Sequence, residues 1–407
     1  MMGSHSKKNI VLLIPQLRHG GAERVVSRLS FLLTEDFNIK VVVFDDSIVT
    51  YKVGCEVISL GVPSSSENNV FSKALNVIKR VLKYKKIKRD NNIDITYSFG
   101  DTANIVNIFS KGEDKKLISI RGYKRIRTGK TLIDRLLLKP ISVYICNKAD
   151  KVVSVSELIT QTLIKEYNLP SEKVYTIHNG YDLDTIRELS QESLNEAEEK
   201  IFEKKNVIIS AGTFRHEKGY WHLLKAFSIV LNKKEDMLLV ILGTDFNNNK
   251  EKVLNLAKQL KIEQSIVFLG YKENPYKYFS KSNMYVLSSV FEGFPNALVE
   301  AMSCGLPVVA ADCPSGPREI LSSTFNINEE FKGIKYSEFG ILTQRMSAKE
   351  NYEPNILEKD DIHLAEGIIE LLDEKNRQEF SKKSLQRSND FGYSTWLLKQ
   401  KDILSFK

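Results

Sequence analysis

The strongest constraint on this chain is an alternation. Short apolar runs and longer amphipathic stretches take turns along nearly the whole sequence. "NIVLLIP" (9–15), "IKVVVF" (39–44), "IDITYSF" (93–99), "KLISI" (116–120), "KVVSVS" (151–156) and "KVYTIHNG" (173–180) read as strands. Helical periodicity lies among them at 22–34, 72–89, 130–147 and 157–167. After a charged, glutamate-rich stretch (188–205) the series restarts with "NVIISAG", "MLLVILG", "SIVFLG" and "NMYVLSSV", interleaved with helices at 219–232, 250–260 and 275–281. A parallel strand neighbour is reached only through a crossover long enough to hold a helix, so alternation at these lengths predicts parallel α/β sheets. Two series predict two Rossmann-like domains. "HNGYD" (178–182) supplies the Asn-Gly turn chemistry of a boundary. The C-terminal 390–406 is amphipathic, with Trp396, Leu397 and Ile403 placed to pack against one of the domains.

One strand–loop–helix–strand unit carries unusual chemistry. In "SSVFEGFPNALVEAM" (288–302) an apolar strand ends in a Glu-Gly-Phe-Pro loop, and a second glutamate, Glu300, follows Glu292 by eight positions. Pro295 suits the first turn of a helix, Ala297, Leu298, Ala301 and Met302 repeat at helical spacing, and Gly305 suits its left-handed end. The loop therefore lies at a strand's carboxyl end, where open α/β sheets bind ligands. The amides of Gly293 and Phe294 at the helix start suit an anion. Two carboxylates beside an anion would repel it unless they face hydroxyls. A ligand offering both phosphate and many hydroxyls is a sugar nucleotide.

Two further loops fit that ligand. In "LRHGGAERVV" (17–26), Gly20 and Gly21 follow the first strand and would let backbone approach a ligand closely. "SAGTFRHEKGYWHLLKAF" (210–227) places Arg215 and Lys218 between strand and helix, where cations can pair with a diphosphate and stabilise a departing nucleotide. No GxGxxG fingerprint occurs, which disfavours a dinucleotide dehydrogenase.

Composition excludes other classes. The 407 residues are 42% hydrophobic and 27% charged, a globular balance, and no apolar run approaches the roughly eighteen residues needed to span a bilayer. "GSHS" near the start reads as the remnant of an expression tag. The four cysteines lack zinc or redox spacing and fit buried thiols in a reducing cytoplasm. The net charge of +8 is local in origin. Residues 73–89 hold eight Lys/Arg and no acid; residues 115–139 hold nine and one acid, Asp134. In the first of these, Ala74, Val77, Ile78, Val81 and Leu82 form an apolar stripe flanked by lysines. It fits either a helix packed on its sheet or, with 121–139, a contact with an anionic membrane surface. No nucleic-acid-binding module is present.

The segments "GGAER", "ADKVVSVSE", "HNGYD", "AGTFRHEKG", "FEGFPNALVEAMSCGLPVVAAD" and "GPREI" stand in the order and spacing of the retaining glycosyltransferases of sequence family 4, and the chain resembles them over nearly its whole length. The resemblance implies the GT-B fold: an acceptor domain over 1–181, completed by 392–407, and a donor domain over 182–391, facing a central cleft. It implies that Glu292 approaches the donor sugar's hydroxyls and Glu300 the ribose hydroxyls. Gly293, Phe294, Pro295 and Asn296 would line sugar and phosphates, and Lys218 would bind the diphosphate under Gly20 and Gly21.

Two positions depart from the family pattern. Thr213 stands where an arginine is usual, with Arg215 two residues later, and Arg121 stands where a histidine often follows the "KLISI" strand. Arginine is no general base at ordinary pH, so Arg121 is expected to bind an acceptor or donor phosphate. The retaining reaction of this fold, in which a donor phosphate oxygen receives the acceptor's proton, needs no protein base. The implied activity is transfer of a hexose from a UDP-sugar to a sugar hydroxyl of a lipid-linked bacterial surface glycan, such as capsule or O-antigen. It would need neither metal nor cofactor, and would take place at the inner face of the plasma membrane. A sugar-nucleotide epimerase or hydrolase, or a non-catalytic membrane-associated partner, would share the same donor residues. A glycan phosphorylase would need a cofactor lysine that is not identifiable in the sequence.

Overall fold

The computed structural model describes residues 7–18, 20–63, 70–122, 138–203, 206–245 and 248–406. The chain divides into two compact units, Met1–Asn179 with Trp396–Lys407, and Gly180–Thr395.

The first unit runs β1 (Asn9–Ile14), α1 (Gly21–Leu32), β2 (Asn38–Val43), β3 (Glu56–Ser59), α2 (Val70–Asp90), β4 (Ile95–Phe99), α3 (Asp101–Phe109), β5 (Lys115–Ile120), α4 (Lys139–Lys148), β6 (Lys151–Ser154), α5 (Glu157–Glu166) and β7 (Val174–Thr176). Its described strands form one parallel sheet in the order β3-β2-β1-β4-β5-β6-β7. The central strands are covered on both faces, which is why β1 reads as an unbroken apolar run rather than an alternating one. β3 and α3 have no counterpart among the expected elements.

The expected stripe on α2 is corrected by the structure. Val77 and Val81 do lean toward the sheet, but Ala74, Ile78 and Leu82 are exposed. The buried side is filled instead by Arg80, Tyr84 and Lys88, one turn apart. Their polar ends find partners. Arg80 donates to the Pro63 carbonyl, the Tyr84 hydroxyl meets that of Thr96 at 2.8 Å, and Lys88 Nζ lies 2.9 Å from Asp114. Burial pushes Lys88 down to about 8 against the opposing pull of Asp114. Of the second basic stretch, residues 123–137 lie outside the described residues.

The second unit runs α6 (Leu183–Ser190), α7 (Glu196–Phe202), β8 (Asn206–Ala211), α8 (Tyr220–Lys233), β9 (Met237–Leu242), α9 (Asn249–Gln259), β10 (Ile266–Gly270), α10 (Tyr276–Ser280), β11 (Met284–Leu287), α11 (Asn296–Ser303), β12 (Val308–Ala311), α12 (Pro317–Leu321), β13 (Ile334–Ser337), β14 (Gly340–Thr343), α13 (Lys359–Glu370) and α14 (Glu374–Ser388). Its sheet order is β10-β9-β8-β11-β12-β14-β13, parallel except for the terminal hairpin β13–β14. The core packs Trp221, Leu224 and Phe227 of α8 against Leu239 and Ile241 of β9 and Leu364 and Ile368 of α13. A final helix, α15 (Tyr393–Ser405), leads back to the first unit from Trp396 onward. It buries Trp396 and Ile403, and Lys8 and Lys151 donate to the carbonyls of Ser405 and Ile403.

Candidate active site

In the second sheet the strand order reverses between β8 and β11, so the loops leaving their carboxyl ends diverge and leave a crevice. Those loops, 212–219 and 288–295, carry the residues singled out from the sequence. They are stitched together: the Val290 amide donates to the Glu217 carbonyl at 2.9 Å, and Ser288 Oγ to the Lys218 carbonyl at 2.9 Å. The contact requires glycine at 219. Its φ is +60°, and a Cβ there would lie 2.2 Å from the Ser288 carbonyl oxygen.

A short 3-10 turn, His216–Lys218, then aims Lys218 back across Gly212, where a Cβ would lie 2.7 Å from Lys218 Cε. Lys218 Nζ reaches Glu292 Oε1 at 2.7 Å, and Ser289 Oγ donates to the same oxygen at 2.7 Å. Both charged side chains retain some exposure, 22% for Lys218 and 13% for Glu292. The Glu292 charge is felt beneath the loops. Burial, and after it this carboxylate, raises the Tyr220 phenol and the Cys313 thiol. Burial also raises Tyr285, with Tyr220 and then Glu292 adding to it. Thr213 is half-buried in the β8 loop, and Arg215 is exposed at the start of the 3-10 turn.

Helix α11 opens beside this pair. Pro295 is its N-cap rather than its first helical residue, so Gly293 and Phe294 precede the helix. A third loop, after β12, braces them. Ser315 Oγ donates to the Gly293 carbonyl at 2.5 Å, and a Cβ on Gly316 (φ +96°) would lie 2.4 Å from Pro295 Cδ. Arg318 of α12 forks onto Asp312, Nε to Oδ1 at 3.1 Å, and holds that loop closed. Asn296 Oδ1 accepts from the Tyr181 hydroxyl at 2.7 Å, and Phe294 meets Phe391 edge-on. Glu300 sits in the second turn of α11, 4% exposed. The helix ends with Leu306 and Gly305 amides on the Ala301 and Met302 carbonyls, Gly305 having φ +81°.

The first unit has its own reversal, between β1 and β4. Gly20 caps α1 and Gly21 is its first residue. Gly20 is extended, with φ 177°, and a Cβ there would lie 2.1 Å from Glu23 Oε2. Glu23 thus folds back over Gly20, and its carboxyl is raised by burial, with a backbone hydrogen bond and Arg121 opposing. Arg121 follows β5 and donates to Asn179 Oδ1. Sequence reasoning missed Glu23, Ser289, Ser315 and Asn179. Glu23, Ser289 and Asn179 lie inside the quoted "GGAER", "SSVFEGFPNALVEAM" and "HNGYD" without being singled out there, and Ser315 lies outside every quoted segment.

His222, Glu358 and Asp360 are the described carboxylate–histidine group with metal-like proximity, each offering an atom within 4.8 Å of the others. His222 Nδ1 faces Asp361 at 2.5 Å and Nε2 the Ser347 carbonyl at 2.9 Å, so both nitrogens are engaged. This cluster ties α8 to α13 and fits a brace rather than a metal centre.

Comparison with known proteins adds relatives. Residues 19–185 match the family described as Glycosyltransferase Family 4, and residues 191–329 the family described as Glycosyl transferases group 1. The chain is 30% identical over 335 residues to the N-acetylgalactosamine-N,N'-diacetylbacillosaminyl-diphospho-undecaprenol 4-alpha-N-acetylgalactosaminyltransferase of Campylobacter jejuni, covering 80% of this chain and 88% of that one. It is 29% identical over 332 residues to an uncharacterized glycosyltransferase of Methanocaldococcus jannaschii, covering 77% and 80%. Among solved structures, an Anabaena protein in complex with UDP and glucose superposes with a TM-score of 0.74 over 97% of this chain and 99% of that one. At 17% identity, that likeness concerns the fold.

Proposed function

The chain belongs to the family 4 glycosyltransferases of the GT-B fold, and on that premise we propose that it transfers a hexose, with retention, from a UDP-sugar to a sugar hydroxyl of a lipid-linked glycan in bacterial surface polysaccharide assembly. The observation that carries the reading is the convergence of Lys218 Nζ and Ser289 Oγ on one Glu292 oxygen, at a strand-order reversal and beside the start of α11.

A diphosphate arriving at the crevice competes with Glu292 for Lys218 and draws on the amides ahead of α11. The freed Glu292 oxygen then accepts from a donor-sugar hydroxyl, while Glu300 holds the ribose. Lys218 and the helix end stabilise the charge on the departing nucleotide, with no metal or cofactor in this scheme. The acceptor hydroxyl attacks the face the nucleotide leaves, and a donor phosphate oxygen takes its proton, which gives retention without a protein base. One relative supports the acceptor class: the Campylobacter enzyme is named for a diphospho-undecaprenol acceptor. In this reading the reaction takes place at the cytoplasmic side of the plasma membrane. Among the described residues no helix is long and apolar enough to cross a membrane.

Calorimetric titration with UDP, GDP and ADP tests the donor assignment. Saturable binding with UDP preferred, weakened about tenfold in Glu300→Ala, is the expected result. Binding unchanged in Glu300→Ala, or none at all to the wild type, overturns the site; a GDP or ADP preference overturns the donor.

A further inference from the structure

Helix α2 inverts the usual arrangement of a surface helix, in which polar residues face water. Its sheet side carries Arg80, Tyr84 and Lys88, all buried. Its opposite side carries Leu75 (56% exposed), Ile78 (56%) and Leu82 (62%), and Phe71 (81%) extends the row. At about 100° per residue these four fall within roughly 60° of one another, a single line along the helix. Arg89 continues the line, and Lys79, Lys85 and Lys86 flank it, all exposed. The helix holds one acid, Asp90, paired to Arg89.

The adjoining helices continue the pattern. α3 packs beside α2 and α4 beside α3. They expose Phe109, Tyr144 and Leu138, with Phe109 and Tyr144 stacked at 5.9 Å and Lys111 and Lys148 exposed next to them.

We propose that this helix face is a docking surface for an anionic lipid bilayer. α2 lies along the headgroup plane, with Leu75, Ile78, Leu82 and Phe71 entering the acyl boundary and Lys79, Lys85, Lys86 and Arg89 on lipid phosphates. Charge selects this occupant: a second copy of the chain would set two basic rows against each other, whereas anionic headgroups complement them. The helix is already fixed before it binds, because Arg80, Tyr84 and Lys88 clamp its other side to the sheet. Docking therefore does not carry the ordering cost of a segment that folds on the membrane. The surface stands independently of the donor assignment, and the lipid-linked acceptor of the proposed function gives it a purpose.

Co-sedimentation of the full chain with vesicles tests it, using about three parts phosphatidylcholine to one part phosphatidylglycerol, and phosphatidylcholine alone. The protein is expected to bind the anionic vesicles and to be released by salt. The triple variant Leu75→Glu, Ile78→Glu, Leu82→Glu should lose about tenfold or more of its partitioning at every salt concentration. Lys79→Gln, Lys85→Gln, Lys86→Gln should bind more weakly and with a flatter salt dependence. UDP titration of each variant reports folding and the donor site separately. Wild-type protein that stays in solution with anionic vesicles, variants that bind as well as wild type, or a wild-type dimer dispersed by the glutamate variant would each overturn the proposal.

Discussion

The two sheets reverse their strand order in the same way, yet they build their loops by different means. In the second unit the β8 and β11 loops are joined through backbone, with the Val290 amide on Glu217 and a glycine at 219 whose Cβ position is taken by a main-chain carbonyl. In the first unit the glycine after β1 faces a flexible side-chain end instead. The neighbour of Gly20 is the tip of Glu23, and Arg121 is held by Asn179. Backbone contacts cannot give way, whereas a carboxylate can rotate aside. The second site is thus built for one geometry, which suits the charge stabilisation proposed for it, and the loop after β1 has more room to adjust.

The largest expected effect breaks that comparison directly. Gly219→Ala must leave the left-handed region and displace the Ser288 carbonyl, and should cost about 3 kcal/mol or more in denaturant unfolding. Gly20→Ala, whose backbone is extended, should cost less than about 1 kcal/mol because Glu23 can swing away. Equal costs would mean that the two loops are equally rigid.

Next come the charges of the second site. Glu292→Ala removes the group shared by Lys218 and Ser289, and should lower kcat on the order of a hundredfold. Glu300→Ala removes the group proposed to hold the ribose and should raise the donor KM about tenfold with a smaller change in kcat. If both variants moved only KM, Glu292 would be a binding residue and no more. The same separation is expected in weaker form in the first unit. Arg121→Met should raise the acceptor KM a few-fold, about 1 kcal/mol, and leave UDP affinity unchanged.

What the sequence disclosed follows the same division. Central strands such as Asn9–Ile14 and Met237–Leu242 were legible because burial on both faces writes itself as an unbroken apolar run. β3 was not, since its four residues are exposed or half-buried and lack that run. α3 was missed because it follows Gly100 directly after β4, without a side-chain cap to announce it. Glu292 and Glu300 were legible through Gly293, Pro295 and Gly305, which fix loop, helix start and helix end. The pairing of Glu292 with Lys218 was not, because 74 residues separate them and only the sheet order brings them together. On α2 the sequence holds two apolar rows. The one with Val77 and Val81 faces the sheet because Arg80, Tyr84 and Lys88 find polar partners there, which hydrophobic patterning alone cannot anticipate.

The smallest effect concerns the Glu23 side chain itself. Burial raises the Glu23 carboxyl above its ordinary value, and a backbone hydrogen bond and Arg121 offset part of that rise. Between the unfolded value near 4.5 and the higher folded one, the folded state binds more proton than the unfolded state, so stability falls as pH rises through that window. Above it the cost of the ionised group is constant. Glu23→Gln removes the ionisation while keeping the fold back over Gly20. It should therefore melt slightly above wild type at pH 7 and level with it below pH 4.5. A variant that instead melts lower at pH 7 would show that the Arg121 attraction outweighs burial. The first unit's loop would then be held by a charge pair, as the second unit's is, and the contrast between the two reversals would rest on backbone alone.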